Sequence, residues 1–407
     1  MTAARSNKLA ARAAVAYAVL ILYGSLFPFS GFSVDNLHEA VSDLWPSHIS
    51  KTDLLTNLLI YFPLGFLAGM AFRGRFDRAA ARVLAILCGF CLSLFVESVQ
   101  LFLPRVSSWV DLMANTSGAV VGAVVGSVFD ADLPLGDAVR ALRRWLLKPG
   151  RLSEIGFATI LIWVAAQLSP FVPSADWGNI KHGLKPAWYA LWNPSLIDTW
   201  GLCYYALASM GLALLVKTTV RRDVPWRALS LFLFGSVLVL KVPIITRQLS
   251  LHAGIGVAVG LAIAFQESFW RRKRVTVVGA GVSLLLAYTL DSLAPALESD
   301  AFARSMNWIP FDKNRLNLFD FSDLLDTVWV FWGLAYLVAI GLWQNRVGVA
   351  RVVILGAVVI GASTLMLEGM QLMVPGRVPD VTDSFIAVMA WMGPWMILGW
   401  SNDEGPS

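Results

Sequence analysis

Residues 97–111 read ESVQLFLPRVSSWVD, and residues 368–383 read EGMQLMVPGRVPDVTD. Each stretch closes a long apolar run with a Glu, a Gln three residues on, a Pro, an Arg and one or two Asp. Residues three apart share a helix face, so Glu97 pairs with Gln100 and Glu368 with Gln371. An ionised acid well inside a membrane span costs about 2.5–3.5 kcal/mol on insertion scales, so it faces protein or water instead of lipid. Two matching sets in one chain imply a shared role for the segments that carry them.

The surrounding composition places these segments in a membrane. Of 407 residues, 57% are hydrophobic and 14% charged, and mean hydropathy is +0.65. Soluble domains run near 45–50% apolar and about 25% charged. The excess is divided among runs of roughly 20 residues, the length that crosses a bilayer. About twelve such runs can be drawn, at 11–28, 53–72, 82–103, 109–129, 154–171, 196–216, 227–246, 250–270, 275–293, 323–343, 350–373 and 381–400. Lys241, Pro243 and Arg247 interrupt the seventh and eighth, which a re-entrant hairpin would also explain. The fold class expected is all-α, a polytopic transmembrane helical bundle.

Charge orients the bundle. With the N-terminus inside, one set of loops holds Arg5, Lys8 and Arg12; Arg73, Arg75, Arg78 and Arg82; Arg140, Arg143, Arg144, Lys148 and Arg151. The same set continues with Lys217, Arg221, Arg222 and Arg227; Arg271 to Arg274; and Arg346 with Arg351. The opposite loops hold acids such as Asp35, Glu39, Asp43, Glu298 and Asp300. Basic loops stay cytoplasmic, so both termini are expected there. The net charge of +5 is accounted for by this bias, and no nucleic-acid partner is expected.

The runs group into three four-helix units: 1–129, a middle unit at 154–270, and 275–400. A basic linker at 130–153, containing a short amphipathic helix over Asp137–Arg151, separates the first two. Residues 401–407 form a tail. A Pro-Phe recurs at 28–29, 170–171 and 310–311. Such repetition suggests internal duplication.

Further residues sharpen the pattern. TNLLIYFPLGFLAG contributes Asn57, Pro63 and Gly65, and the helix after Asp111 contributes Asn115, Gly118 and Gly122. NWIPF (Asn307, Pro310, Phe311) precedes the second Glu-Gln-Arg-Asp set. Together these resemble the VanZ-like family of bacterial membrane proteins, once at roughly 50–128 and again at roughly 306–400. The middle unit departs, with Lys241 and Pro243 where the acid and amide would fall, and Ala387 replaces the Asn of the third unit. The resemblance implies a multi-pass inner-membrane protein, and one family member is associated with resistance to a lipid-tailed glycopeptide antibiotic.

The polar sets admit three readings: a staple closing a helical hairpin, an outward-facing pocket for an anionic or sugar headgroup, or a catalytic acid pair. Neither Glu has a His beside it, and there is no nucleophile elbow or metal-ligand spacing, so no catalytic residue, metal or cofactor is expected. His38, His48, His182 and His252 read as ordinary loop residues. The expected ligand-binding residues are Glu97, Gln100, Arg105, Asp111, Glu368, Gln371, Arg377 and Asp383. The expected partner is a membrane lipid or a lipid-linked glycan, met at the outer leaflet without catalysis. An accessory subunit of an exopolysaccharide or surface-protein assembly system, a lipid transporter and an intramembrane headgroup enzyme are the alternatives. Gly118, Gly122 and Gly126 read as a helix-packing stripe. Cys88 and Cys91 read as small packing residues within an apolar run.

Overall fold

The computed structural model describes residues 3–26, 33, 45, 51–103, 108–128, 133–171, 174, 176–295, 305–310, 318–342 and 348–398. Among these it is all-helical. The helices are α1 (Ala3–Leu26), α2 (Lys51–Phe72), α3 (Arg78–Gln100), α4 (Trp109–Val128), α5 (Pro134–Leu146), α6 (Arg151–Leu168) and α7 (Trp177–Trp192). They continue with α8 (Thr199–Thr219), α9 (Trp226–Lys241), α10 (Leu251–Ala264), α11 (Lys273–Leu293), α12 (Leu318–Leu342), α13 (Val349–Gln371) and α14 (Val381–Leu398).

Nine of the described helices are long and apolar enough to cross a membrane: α2, α3, α4, α6, α8, α11, α12, α13 and α14. The apolar part of α1, Ala10–Tyr23, is shorter. So are α9, with 16 residues, and α10, with 14. At 1.5 Å per residue α9 and α10 reach about 24 and 21 Å, short of a hydrocarbon core of about 30 Å. Lys241 ends α9 where the charge interrupts the apolar run, and Ser250 precedes α10. The chain is a multi-pass membrane protein.

The chain packs as two compact units, Met1–Arg143 with Phe311–Leu318, and Arg144–Pro310 with Phe319–Ser407. In the first, α2 lies against α1, α3 and α4. The α2–α4 crossing is close because the facing residues are small. A Cβ on Gly118 would lie 2.2 Å from the Leu58 carbonyl oxygen, and one on Gly122 2.1 Å from that of Phe62. Glycine alone permits that approach, and the stripe read from the sequence is this interface. Cys88 and Cys91 differ from expectation: both are exposed on α3. Gly89 and Ala85 supply the face that α3 buries, so the cysteines stand on the outward side.

In the second unit α8 is central, packed against α6, α9, α10 and α11. Leu212 to Val216 are fully buried there. Trp329, Phe331 and Tyr336 of α12 complete the core, and the Tyr336 hydroxyl lies 2.9 Å from Thr219 Oγ1. The middle four-helix pattern and the last one thus share a single apolar core.

Candidate functional site

The first polar set is a hydrogen-bonded clasp across the α3–α4 turn. Glu97, 8% exposed, sits in the last turn of α3, and its Oε2 accepts from the Ser108 backbone N–H at 3.2 Å. Ser108 is the residue before α4. Its Oγ accepts from the Asp111 N–H at 3.1 Å and donates to Asp111 Oδ2 at 2.7 Å. Ser108 is thus the N-cap of α4, its hydroxyl satisfying an N–H that the first turn leaves unpaired. Asn57 of α2 donates to Asp111 Oδ1 at 2.5 Å, and Gln100 donates to the Ser25 carbonyl of α1 at 2.9 Å. The polar residues therefore tie all four helices at one end of the unit. Arg105 and Pro104 lie outside the described residues, as do His38, His48, Phe29 and Phe311.

The second set repeats the clasp. Glu368, 2% exposed, accepts from the Asp380 backbone N–H at 2.8 Å. Asp380 precedes α14 as Ser108 precedes α4, and it caps the helix by accepting from the Thr382 N–H at 2.8 Å. Gln371 donates to Glu368 Oε1 at 3.3 Å, the shared face expected of the spacing. Asn307 donates to Asp380 Oδ2 at 2.9 Å and pairs its backbone with Asp380 in a parallel bridge. The second turn has one residue more than the first, and Gly376 at φ +75° absorbs it.

Arg377 lies within electrostatic range of Glu368, but its hydrogen bonds go elsewhere. Its Nε donates to the Ala294 carbonyl at 2.9 Å and its Nη2 to the Asp291 carbonyl. Those oxygens lie at the C-terminal end of α11, where the helix dipole favours a cation. Asp383 lies in the first turn of α14, with Tyr288 of α11 close to both its charge and that of Glu368.

Beside this clasp stands a group of charges in which the sequence pattern singled out Lys241, Arg247 and Arg377 but not Asp291, Asp323 or Asp326. α9, α11 and α13 end, and α10, α12 and α14 begin, at the same end of the unit. Asp291 of α11 interacts electrostatically with Arg377 and Asp323. Asp326 of α12 interacts with Asp291, Arg247, Asp323 and Lys241. Asp291 and Asp323 are exposed and Asp326 half-buried, but Asp326 Oδ1 itself is shut from solvent and accepts no hydrogen bond among the described residues. Lys241, 5% exposed, donates to Gln167 Oε1 at 2.6 Å and to the Tyr205 hydroxyl at 3.1 Å. Arg247 donates to the Ser169 carbonyl at 2.6 Å and the Ala166 carbonyl at 3.2 Å. The departure noted at 241–247 is therefore a second polar centre, built from different residues at the same end. One signal pointed to it: each of these groups is ionisable and lies within two turns of the end of an apolar run.

His182 lies 2.8 Å from Gln248, and His252 lies beside the Tyr205 ring. Among the described residues no group of three His, Cys, Asp or Glu is arranged to hold a metal ion.

A model of the VanZ/LLP1 family matches residues 12–130, the segment that holds most of α1, all of α2 to α4 and the first clasp. No curated protein and no solved structure matches the chain.

Proposed function

We propose that this protein, with its VanZ-like domain at residues 12–130, resides in a bacterial inner membrane with both termini cytoplasmic. There it holds the headgroup of an amphiphilic envelope component at the outer leaflet without breaking a bond in it. The headgroup is that of a lipid-linked glycan or of a lipidated glycopeptide antibiotic. Glu97, Gln100, Glu368 and Gln371 act from within by fixing the two turns. Arg105, Asp111, Arg377 and Asp383 belong to those turns and meet the ligand.

The observation that carries the reading is the concentration of Arg377, Asp383, Asp291, Asp323, Asp326 and Arg247 at one end of a bundle built to cross a membrane. Ionisable groups within spans are costly and mark sites of function. Two carbonyls set the direction of the Arg377 guanidinium before any ligand arrives, and a guanidinium suits phosphate or carboxylate. Carboxylates alongside supply acceptors for sugar hydroxyls.

Glu97→Gln and Arg105→Ala test the reading in cells whose tolerance to a lipidated glycopeptide depends on the protein. Tolerance is expected to be lost while the amount of protein in the membrane stays at the parent level. Parent-level tolerance in both variants contradicts the reading.

A further inference from the structure

The helix α5 has 13 residues. At 1.5 Å per residue it is about 20 Å long, too short for a hydrocarbon core of about 30 Å. It follows α4 and precedes α6, both of which are long and apolar enough to cross. A chain that leaves one span at Val128 and enters the next at Arg151 carries the intervening helix at the membrane surface.

The sequence of α5 divides its surface sharply. Leu135, Val139, Leu142 and Leu146 recur at steps of four and three, which puts them on one side, with Trp145 flanking. Asp137, Arg140 and Arg144 fall on the opposite side, and Arg143 lies on the border. Leu146 packs into the core. Leu135, Val139, Leu142 and Trp145 do not: they are 48, 41, 56 and 56% exposed. Four uncovered apolar residues in a row are a face in want of an apolar phase.

The C-terminal end of the helix is fastened. Leu147 bridges Val220, the Arg221 N–H donates to the Leu146 carbonyl at 3.0 Å, and Lys148 Nζ donates to the Thr218 carbonyl at 2.6 Å. Cations gather at that end. Arg222 and Lys273 lie within electrostatic range of Lys148, and the neighbouring Asp223 is engaged by Arg221 at 3.1 Å. Along the helix itself Asp137 is the one acid, bonded to Arg140 at 2.7 Å.

We propose that α5 is an interfacial anchor for an anionic lipid surface, its Leu135–Val139–Leu142–Trp145 stripe among the upper acyl chains and Arg140, Arg143 and Arg144 on lipid phosphates. The apolar stripe binds any bilayer, and the basic residues add attraction that only an anionic surface supplies. Long arginine stems reach from a helix lying in the interface up to the headgroups.

The test uses the full chain in nanodiscs, with Cys88, Cys91 and Cys203 replaced by alanine and an environment-sensitive fluorophore on Leu142→Cys or on Asp137→Cys. In phosphatidylglycerol nanodiscs the probe at 142 is expected to emit to the blue and to be quenched at least twofold by lipids carrying a spin label near the headgroup. The probe at 137 stays red and is quenched less. In phosphatidylcholine nanodiscs, or with Arg140, Arg143 and Arg144 all changed to Gln, quenching at 142 falls by at least half. Equal emission and quenching at 142 and 137 overturns the anchor. Blue emission at 142 without quenching means a protein partner covers the stripe, and also overturns it. Equal quenching at 142 in the two lipids overturns the role of the basic residues.

Discussion

Removing the Glu368 carboxylate should loosen the turn between α13 and α14, and the structure sets the size of the effect. Its Oε2 takes the Asp380 N–H at 2.8 Å and its Oε1 takes Gln371 at 3.3 Å. A hydrogen bond to a charged acceptor contributes about 1.5–3 kcal/mol, and the longer one about 0.5–1 kcal/mol. Against this, deleting the acid relieves the cost of burying it. Glu368→Ala is therefore expected to destabilise by about 2–3 kcal/mol. Glu368→Gln keeps the volume and an acceptor but not the charge, so about 1 kcal/mol is expected. Unfolding in a mild detergent reads the total, and hydrogen exchange at the Asp380 amide reads the local bond. That amide should exchange at least tenfold faster in Glu368→Ala. A variant within about 0.5 kcal/mol of the parent, with unchanged exchange at Asp380, refutes the clasp.

Four other perturbations follow from contacts elsewhere in the structure. Gly122→Ala puts a Cβ 2.1 Å from the Phe62 carbonyl oxygen, so α2 and α4 must separate at a cost of about 2–3 kcal/mol, seen as a lower unfolding midpoint. Gly126→Ala puts a Cβ 3.3 Å from the Phe66 ring and 3.4 Å from its carbonyl oxygen, much looser than at Gly122, and should cost less than about 1 kcal/mol. Lys241→Met strands Gln167 Oε1 and the Tyr205 hydroxyl and should destabilise by about 2–3 kcal/mol, most of it recovered when Gln167→Leu is added, in a double-mutant cycle. Burial lowers the Lys148 amine from 10.5 to about 8, with Lys273 and Arg222 adding to the shift. Between those values the unfolded chain holds a proton that the folded chain has released, so stability rises with pH across this window and the contribution is flat below it. Comparing the unfolding midpoint of parent and Lys148→Met from pH 7 to 10 should show a steeper rise in the parent.

The parts of this arrangement that local chemistry encodes were readable from the sequence. Glu97 and Glu368 stand out because a charge inside an apolar run needs a partner, and the Gln three residues on marks their face. The Gly118–Gly122 spacing announces a close crossing, since only a missing side chain lets two backbones approach. The partners of the two acids were less legible. Ser108 and Asp380 are engaged through their backbone N–H groups, which every residue but proline owns, and only the S-x-x-D and D-V-T-D spacings hint at a cap. The direction of Arg377 depends on where α11 ends, a fact of packing. The Asp291–Asp323–Asp326 group with Lys241 and Arg247 draws on residues 85 positions apart, from Lys241 to Asp326, and reaches on to Arg377. No local pattern joins them. The cysteines were misplaced for a related reason: their spacing gives a helix but not which side of it meets Ala119 of the neighbouring helix.

The most direct measurement is native mass spectrometry of the full chain released from a gentle detergent, for the parent and for Arg377→Ala with Asp383→Asn. The account predicts a retained amphiphile with a phosphate- or sugar-bearing headgroup on the parent, reduced at least tenfold in the double variant. Equal retention in both, or a parent that carries none while its unfolding behaviour is intact, would contradict it.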